Sequence, residues 1–245
     1  MIHPVPRQLA ATAAACTALF AATAHAADLN TVQNLNQAEF RLLSEDLGSI
    51  AAYKPLIPSE ATGITGFDVG GAVMINQVKN RGVFQKASNN EDPGSTLTQY
   101  ALRANKGLPF DLDIGASVSQ VTGTNIQVAG ADIRWAAILG GTFIPAVSTR
   151  LAISNISGVD QVDLQTVSFD VSLSKGFAFI TPYAGIGVVQ VKSTPNNAGA
   201  LAEEKFNLTR VFAGTNVALG LMNVIVEADK TGDAANLGLK LGIRF

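Results

Sequence analysis

The sequence predicts an all-β chain: a transmembrane antiparallel up-and-down β-barrel of about ten strands, within a range of roughly 8–12, preceded by a short N-terminal helix. Three observations predict it. Apolar residues alternate with small, polar or charged ones at period two in segment after segment. The longest charge-free stretches, Trp135 to Thr149, Gly176 to Val191 and Val211 to Val226, are short and broken by Gly, Pro or Asn, so none is a spanning helix. Finally, 47% of residues are hydrophobic and only 15% charged, too apolar a balance for a disordered chain.

The chain opens on an expected export leader, residues 1–26. Arg7 supplies a positive start, Leu9 to Phe20 is apolar and alanine-rich, and Ala24-His25-Ala26 places small residues where a signal peptidase cuts. Cleavage is expected before Ala27. Acylation at Cys16 is disfavoured, because Ala13 stands where a lipoprotein signal carries a larger aliphatic residue. His3, Cys16 and His25 all leave with the leader. The mature chain then holds neither histidine nor cysteine, which excludes disulfides, thiolate or imidazole metal sites, Cys nucleophiles and Ser-His hydrolysis. No cofactor or metal is expected, and no catalytic residue is assigned. With 17 Lys+Arg against 19 Asp+Glu there is no basic field for a nucleic acid either.

Residues 27–63 form a separate segment. Asn36 and Glu39 have the spacing of a capping box, and Phe40, Leu43, Leu47 and Ile50 recur at helical spacing, predicting an amphipathic helix over 37–51 that Pro55 and Pro58 end. Two placements stay open: a plug or lid in or below the barrel, or a periplasmic cap over its apolar rim.

The barrel is expected over 64–245, with strands near 64–78, 96–105, 109–121, 126–139, 145–155, 162–175, 177–191, 205–219, 222–230 and 235–245. Alternation is cleanest in the last, where Leu237, Leu239, Leu241, Ile243 and Phe245 oppose Asn236, Gly238, Lys240, Gly242 and Arg244. Long polar connections at 79–95 and 192–204 alternate with tight ones at 106–108 and 176, the rhythm of external loops and periplasmic turns. If the apolar face meets lipid, the lumen receives Asp68, Arg103, Asp111, Asp113, Asp132, Arg134, Arg150, Asp170, Arg210, Glu227, Lys240 and Arg244. Arg210 is the least regular of these, since it shares its face with Leu208 and Phe212. A soluble β-sandwich would turn the same charges to water, but the apolar face persists on nearly every strand with few charges near its centre. Phe67, Phe110, Trp135, Phe177, Phe179 and Phe245 fall near the periplasmic strand ends, where an interfacial belt belongs.

Leu237 to Phe245, ending on a terminal phenylalanine, resembles the C-terminal strand signal of Gram-negative outer-membrane β-barrels. Thr181-Pro182-Tyr183-Ala184-Gly185-Ile186-Gly187 is similar to a glycine-rich strand common in small barrels of that superfamily. The resemblance covers residues 64–245. It implies an outer-membrane location among lipid and lipopolysaccharide, and delivery by the barrel-assembly machinery; it fixes no activity. Ten strands lie close to the size at which side chains fill a barrel. The expected role is therefore structural or a narrow, porin-like passage of small solutes. The alternatives are surface binding or adhesion through loops 79–95 and 192–204, and an enzyme built on Asp111 and Asp113, about 7 Å apart along one strand face.

Overall fold

The structure, a computed structural model, describes residues 27–245; the expected leader, with His3, Cys16 and His25, lies outside them. Ten antiparallel strands close into one barrel: β1 Phe67–Gln77, β2 Thr96–Gly107, β3 Leu112–Val121, β4 Gln127–Leu139, β5 Ala146–Ser157, β6 Val162–Ser174, β7 Ile180–Pro195, β8 Glu204–Leu219, β9 Met222–Thr231 and β10 Ala234–Arg244. Neighbours in sequence are neighbours in the sheet, and β1 closes on β10 with Asp68 opposite Arg244 and Asn76 opposite Asn236. Closure leaves no free strand edge.

All ten expected strands are present in order, and their starts are corrected by local turns. β3 begins at Leu112 because Pro109–Asp111 is a 3-10 turn in which Phe110 and Asp111 both take positive φ, 64° and 58°. β7 begins at Ile180, after a tight turn that pairs Phe177 with Ile180. The 79–95 connection, expected to be a polar loop, contains a helix over Arg81–Ala87 that carries Phe84 into the interior.

The helix expected over 37–51 forms over Gln37–Ala51 and is designated α1; Arg81–Ala87 is α2. The Asn36 side chain accepts from the Glu39 N–H at 2.9 Å, and Glu39 accepts from the Asn36 N–H at 2.9 Å, which satisfies two of the free donors at the helix start. α1 sits inside the barrel mouth. Phe40, Leu43, Leu47 and Ile50 are each at most 1% exposed, packed with Phe84 of α2 and with Val189, Val191, Phe206 and Leu208 of the wall. At about 1.5–3 kcal/mol for each large apolar side chain removed from water, this face alone fixes α1 in the mouth. Gly48 marks the closest approach, since a Cβ there would press on Val191.

Candidate functional site

The barrel has two unlike ends. β1 begins and β10 ends at the turn end, which also carries the connections 108–111, 140–145, 175–179 and 220–221; the loop end carries 78–95, 122–126, 158–161, 196–203 and 232–233. α1 and residues 27–35 lie at the loop end. Residues 52–66 then run as an extended strap through the lumen to the start of β1, as a ladder of contacts records. At the top, Leu29 N–H donates to Asn125 (3.2 Å), Val32 N–H to Gln161 (2.6 Å) and Thr31 N–H to the Ala87 carbonyl (2.9 Å). Lower down, Ser154 donates to the Ala51 carbonyl, Arg210 to that of Tyr53 (2.6 Å) and Lys240 to that of Leu56 (3.4 Å). Near the turn end Arg134 donates to the carbonyls of Pro58 and Glu60, and Thr62 N–H donates to Asp113 (3.0 Å). The N-terminal segment is therefore a plug. A cap resting only on the rim does not fit, because the strap occupies the lumen itself, with α1 at the opposite end from the strand termini.

Pro55 and Pro58 explain why the strap stays extended: neither has an N–H to continue a helix, and each biases its predecessor away from helical angles. The barrel supplies what such a backbone lacks. Buried strap carbonyls meet cationic donors from the wall, and hydrogen bonds to charged groups are worth about 1.5–3 kcal/mol each.

Those cations belong to a ring of ion pairs below α1. Arg134 pairs with Asp113 (2.6 Å), Arg150 with Asp132 (3.0 Å), Arg210 with Glu227 (3.1 Å) and Asp170 (3.7 Å), and Lys240 with Asp68. All nine are buried. Arg103 is buried as well, its guanidinium 4.7 Å above the Tyr53 ring. Arg244 is half-buried at the rim opposite Asp68. Arg210 lies fully inside beside Leu208 and Phe212, because the inner face of β8 changes from apolar against α1 to charged against the strap.

Asp111 is the exception. It occupies the exposed turn before β3, so Asp111 and Asp113 do not form a pair on one strand face, and Asp113 is engaged by Arg134. Two lumen charges escaped the sequence reading. Asp229, two residues beyond Glu227 on the same face of β9, accepts from Asn236 (2.9 Å) and Thr231 (2.8 Å), and continued alternation from Glu227 would have found it. Lys54 of the strap donates to the Ser49 carbonyl at 2.9 Å, and no periodicity marks it.

The glycine-rich strand has a specific use here. Asp170, Gly187 and Arg210 stand side by side on β6, β7 and β8, and a Cβ at position 187 would collide with the Asp170 carboxylate. The missing side chain lets Arg210 reach across β7. Gly187→Ala is expected to lower stability by about 1–3 kcal/mol, read from the denaturant midpoint of refolded protein.

At the loop end both long connections are fastened to α1. Lys86 of α2 binds Glu39 (2.7 Å), Gln37 accepts from the Ala202 N–H (2.8 Å), and Arg41 lies 3.7 Å over the Phe206 ring while pairing with Glu204 (3.4 Å). Asp46 accepts from the N–H groups of Lys79 (3.1 Å) and Asn80 (2.8 Å), fixing the exit from β1, and burial raises its pKa above the ordinary carboxylate value. Glu39 shifts the other way. Its hydrogen bond from Lys86, then that from the Asn36 N–H, holds its pKa down. A carboxylate with a depressed folded pKa stabilises above its unfolded value and loses that contribution as pH falls through the folded one. Acidification below about pH 4 should therefore speed amide exchange in Arg81–Ala87 beyond the intrinsic rate change, and Glu39→Gln should abolish this extra step.

The outer face is apolar over the lower and middle barrel. Leu237, Leu239, Leu241, Ile243 and Phe245 of the terminal strand all point outward and are about half exposed, as are Val69, Ile133, Leu151, Phe169 and Ile186 on other strands. The turns extend this surface: Phe110 is 85% and Phe143 93% exposed, Phe177 and Phe179 stand out beside them, and the Phe67 and Phe245 rings lie 5.6 Å apart at the seam. Toward the loop end the outer face becomes polar, with Asn155, Asp163, Gln165, Lys192, Lys205 and Asn207 outward.

No protein-family model and no curated protein matches the chain. Among solved structures it is similar to the N-terminal β-barrel domain of Pseudomonas aeruginosa OprF (11% identity, 75% of this chain and 99% of that one, TM-score 0.34). It is also similar to the outer membrane protein OprG from the same organism (7%, 77% and 99%, TM-score 0.36) and to Neisserial surface protein A (8%, 73% and 94%, TM-score 0.32). The likeness is one of barrel architecture, and the architecture itself rests on the closed pairing of β1 to β10.

Proposed function

We propose that the protein is a non-conducting outer-membrane barrel whose lumen is permanently filled by its own N-terminal segment and whose loop end is a folded cap facing outward. The observation that carries this reading is the strap itself; beside it, a cavity lined by Tyr53, Lys54, Gln99 and Arg103 has a volume of about 20 Å³, room for about one water. The apolar outer face and turns support the membrane placement, and the strand termini with the shorter turns go to the periplasm. Passage of small solutes is disfavoured on this reading, and no catalytic role is assigned. Planar-bilayer recordings of the refolded full chain should stay silent; persistent conductance would remove the proposal.

Membrane placement has its own check. Trp135 is the chain's single tryptophan and stands half exposed on the outer face of β4 near the turn end. Its fluorescence in vesicles should be quenched strongly by lipids brominated on the acyl chains and weakly by aqueous iodide; the reverse order would place that face in water.

Binding at the loop end is the second reading, favoured by a rim groove of about 580 Å³ between α1 and the short β9 to β10 connection, lined by Leu42, Glu45, Lys79, Asn207, Thr231 and Asp233. Loops 79–95 and 192–204 build the cap beside it. Surface binding unchanged after Leu42→Asp and Asn207→Asp would remove this reading.

A further inference from the structure

We propose that the lumen holds one small inorganic anion, of the size of chloride, bound between Arg103 of β2 and Lys54 of the strap. Four other buried lumen cations, Arg134, Arg150, Arg210 and Lys240, each meet a carboxylate. Arg103 and Lys54 form no ion pair among the described residues. Both are at most 4% exposed, and both line the small cavity at the end of α1. Two cations buried around one cavity without a counter-ion are costly, because the interior withholds the water that would solvate them.

The lining gives the sign of what belongs there. Besides the two cations it includes Ser117, Ser119, Ser154 and Gln99, and among the described residues no carboxylate. The Arg103 guanidinium lies 4.7 Å over the Tyr53 ring, which covers its face but accepts none of its in-plane donors. Its Nε and Nη2 are buried and have no hydrogen-bond partner among the described residues. Lys54 donates to the Ser49 carbonyl at 2.9 Å, which uses one of its three donors. Asp229 attracts Lys54 from beyond ion-pair reach, but it already accepts from Asn236 and Thr231 and does not line the cavity.

The volume of about 20 Å³ admits one water-sized group. Phosphate, sulfate and carboxylate-bearing solutes are too large, which leaves a monatomic ion. Ile50, Met74, Ala101 and Val128 form the apolar part of the wall, and such surroundings strengthen hydrogen bonds to an anion. The ion takes the place that a carboxylate takes beside the other four cations, and it fastens the strap to β2 at the level of Lys54. The site needs the strap's path and not the silence of the barrel in bilayers.

Two measurements on the refolded full chain test the site. In crystals grown with sodium bromide in place of chloride, an anomalous peak is expected between Arg103 and Lys54. A cavity holding only water, or nothing, overturns the proposal; residues 52–54 found outside the lumen overturn it together with the strap's path. In solution, the gap in unfolding temperature between the wild-type chain and Arg103→Gln should widen as chloride replaces gluconate at fixed ionic strength. The expected widening is about 2–4 °C for each tenfold rise in chloride above the dissociation constant, because an ion bound by the folded state alone stabilises it by mass action. General salt effects cancel in that gap. Lys54→Met is the second variant, and it serves if Arg103→Gln does not give a heat-modifiable barrel. A gap that stays constant in chloride for both variants overturns the proposal.

Discussion

A chain lacking residues 27–62 is expected to conduct ions in planar bilayers, and the full chain to stay silent. The strap and α1 run through the space inside the ten strands, so their removal vacates a path at least the width of an extended chain beside the ion-pair ring, which water is expected to enter. The ring survives the deletion in outline. Arg210, Lys240 and Arg134 each lose a strap carbonyl but keep a carboxylate partner, and water in the opened lumen replaces the missing acceptors. The larger loss is at the loop end, where Val189, Val191, Phe206 and Leu208 exchange the apolar face of α1 for water. The deletion should therefore lower the unfolding temperature while leaving a heat-modifiable barrel. A folded, silent deletion would mean that wall side chains alone close the lumen.

The second large effect is expected at Arg210. This side chain is fully buried and joins three partners at once: Glu227, Asp170 and the Tyr53 carbonyl of the strap. Arg210→Met leaves two buried carboxylates without their cation, and removal of one partner from a buried pair costs about 3–5 kcal/mol. Adding Glu227→Gln should recover part of that loss, because Tyr183 can still donate to the amide oxygen at this position while one orphan charge disappears. Denaturant unfolding of the single and double variants measures both quantities; a double variant no more stable than the single one would show that the cost lies in packing around Phe212 rather than in charge.

The strands were legible because an apolar outer face and a filled lumen impose opposite demands on successive residues, and period two runs along the strands with one break, the bulge at Ala136/Ile138 of β4. Helix α1 was legible for the same kind of reason, since its capping box and apolar stripe are local. What failed was local in appearance only. Pro109-Phe110-Asp111 continues the alternation of β3 on paper, but a proline start and two positive φ values turn Asp111 outward. Helix α2 has seven residues, too few to display a helical period, and its composition reads as a polar loop. The inward apolar residues of β7 and β8 gain meaning only from α1, a long-range partner. The strap's path left no mark at all: its ligands to the barrel are mainly backbone carbonyls, which every sequence has.

That path is the central claim, and engineered disulfides test it most directly. Ser44 of α1 lies with its hydroxyl 2.9 Å from that of Ser193 on β7, and Ser59 of the strap lies 2.9 Å from Ser172 on β6, one pair near the loop end and the other deep toward the turns. The account predicts that Ser44→Cys/Ser193→Cys and Ser59→Cys/Ser172→Cys both oxidise in the folded protein, each giving a non-reducing gel shift that reductant reverses. Free thiols in both pairs of a folded, heat-modifiable barrel would place the N-terminal segment outside the lumen and contradict it.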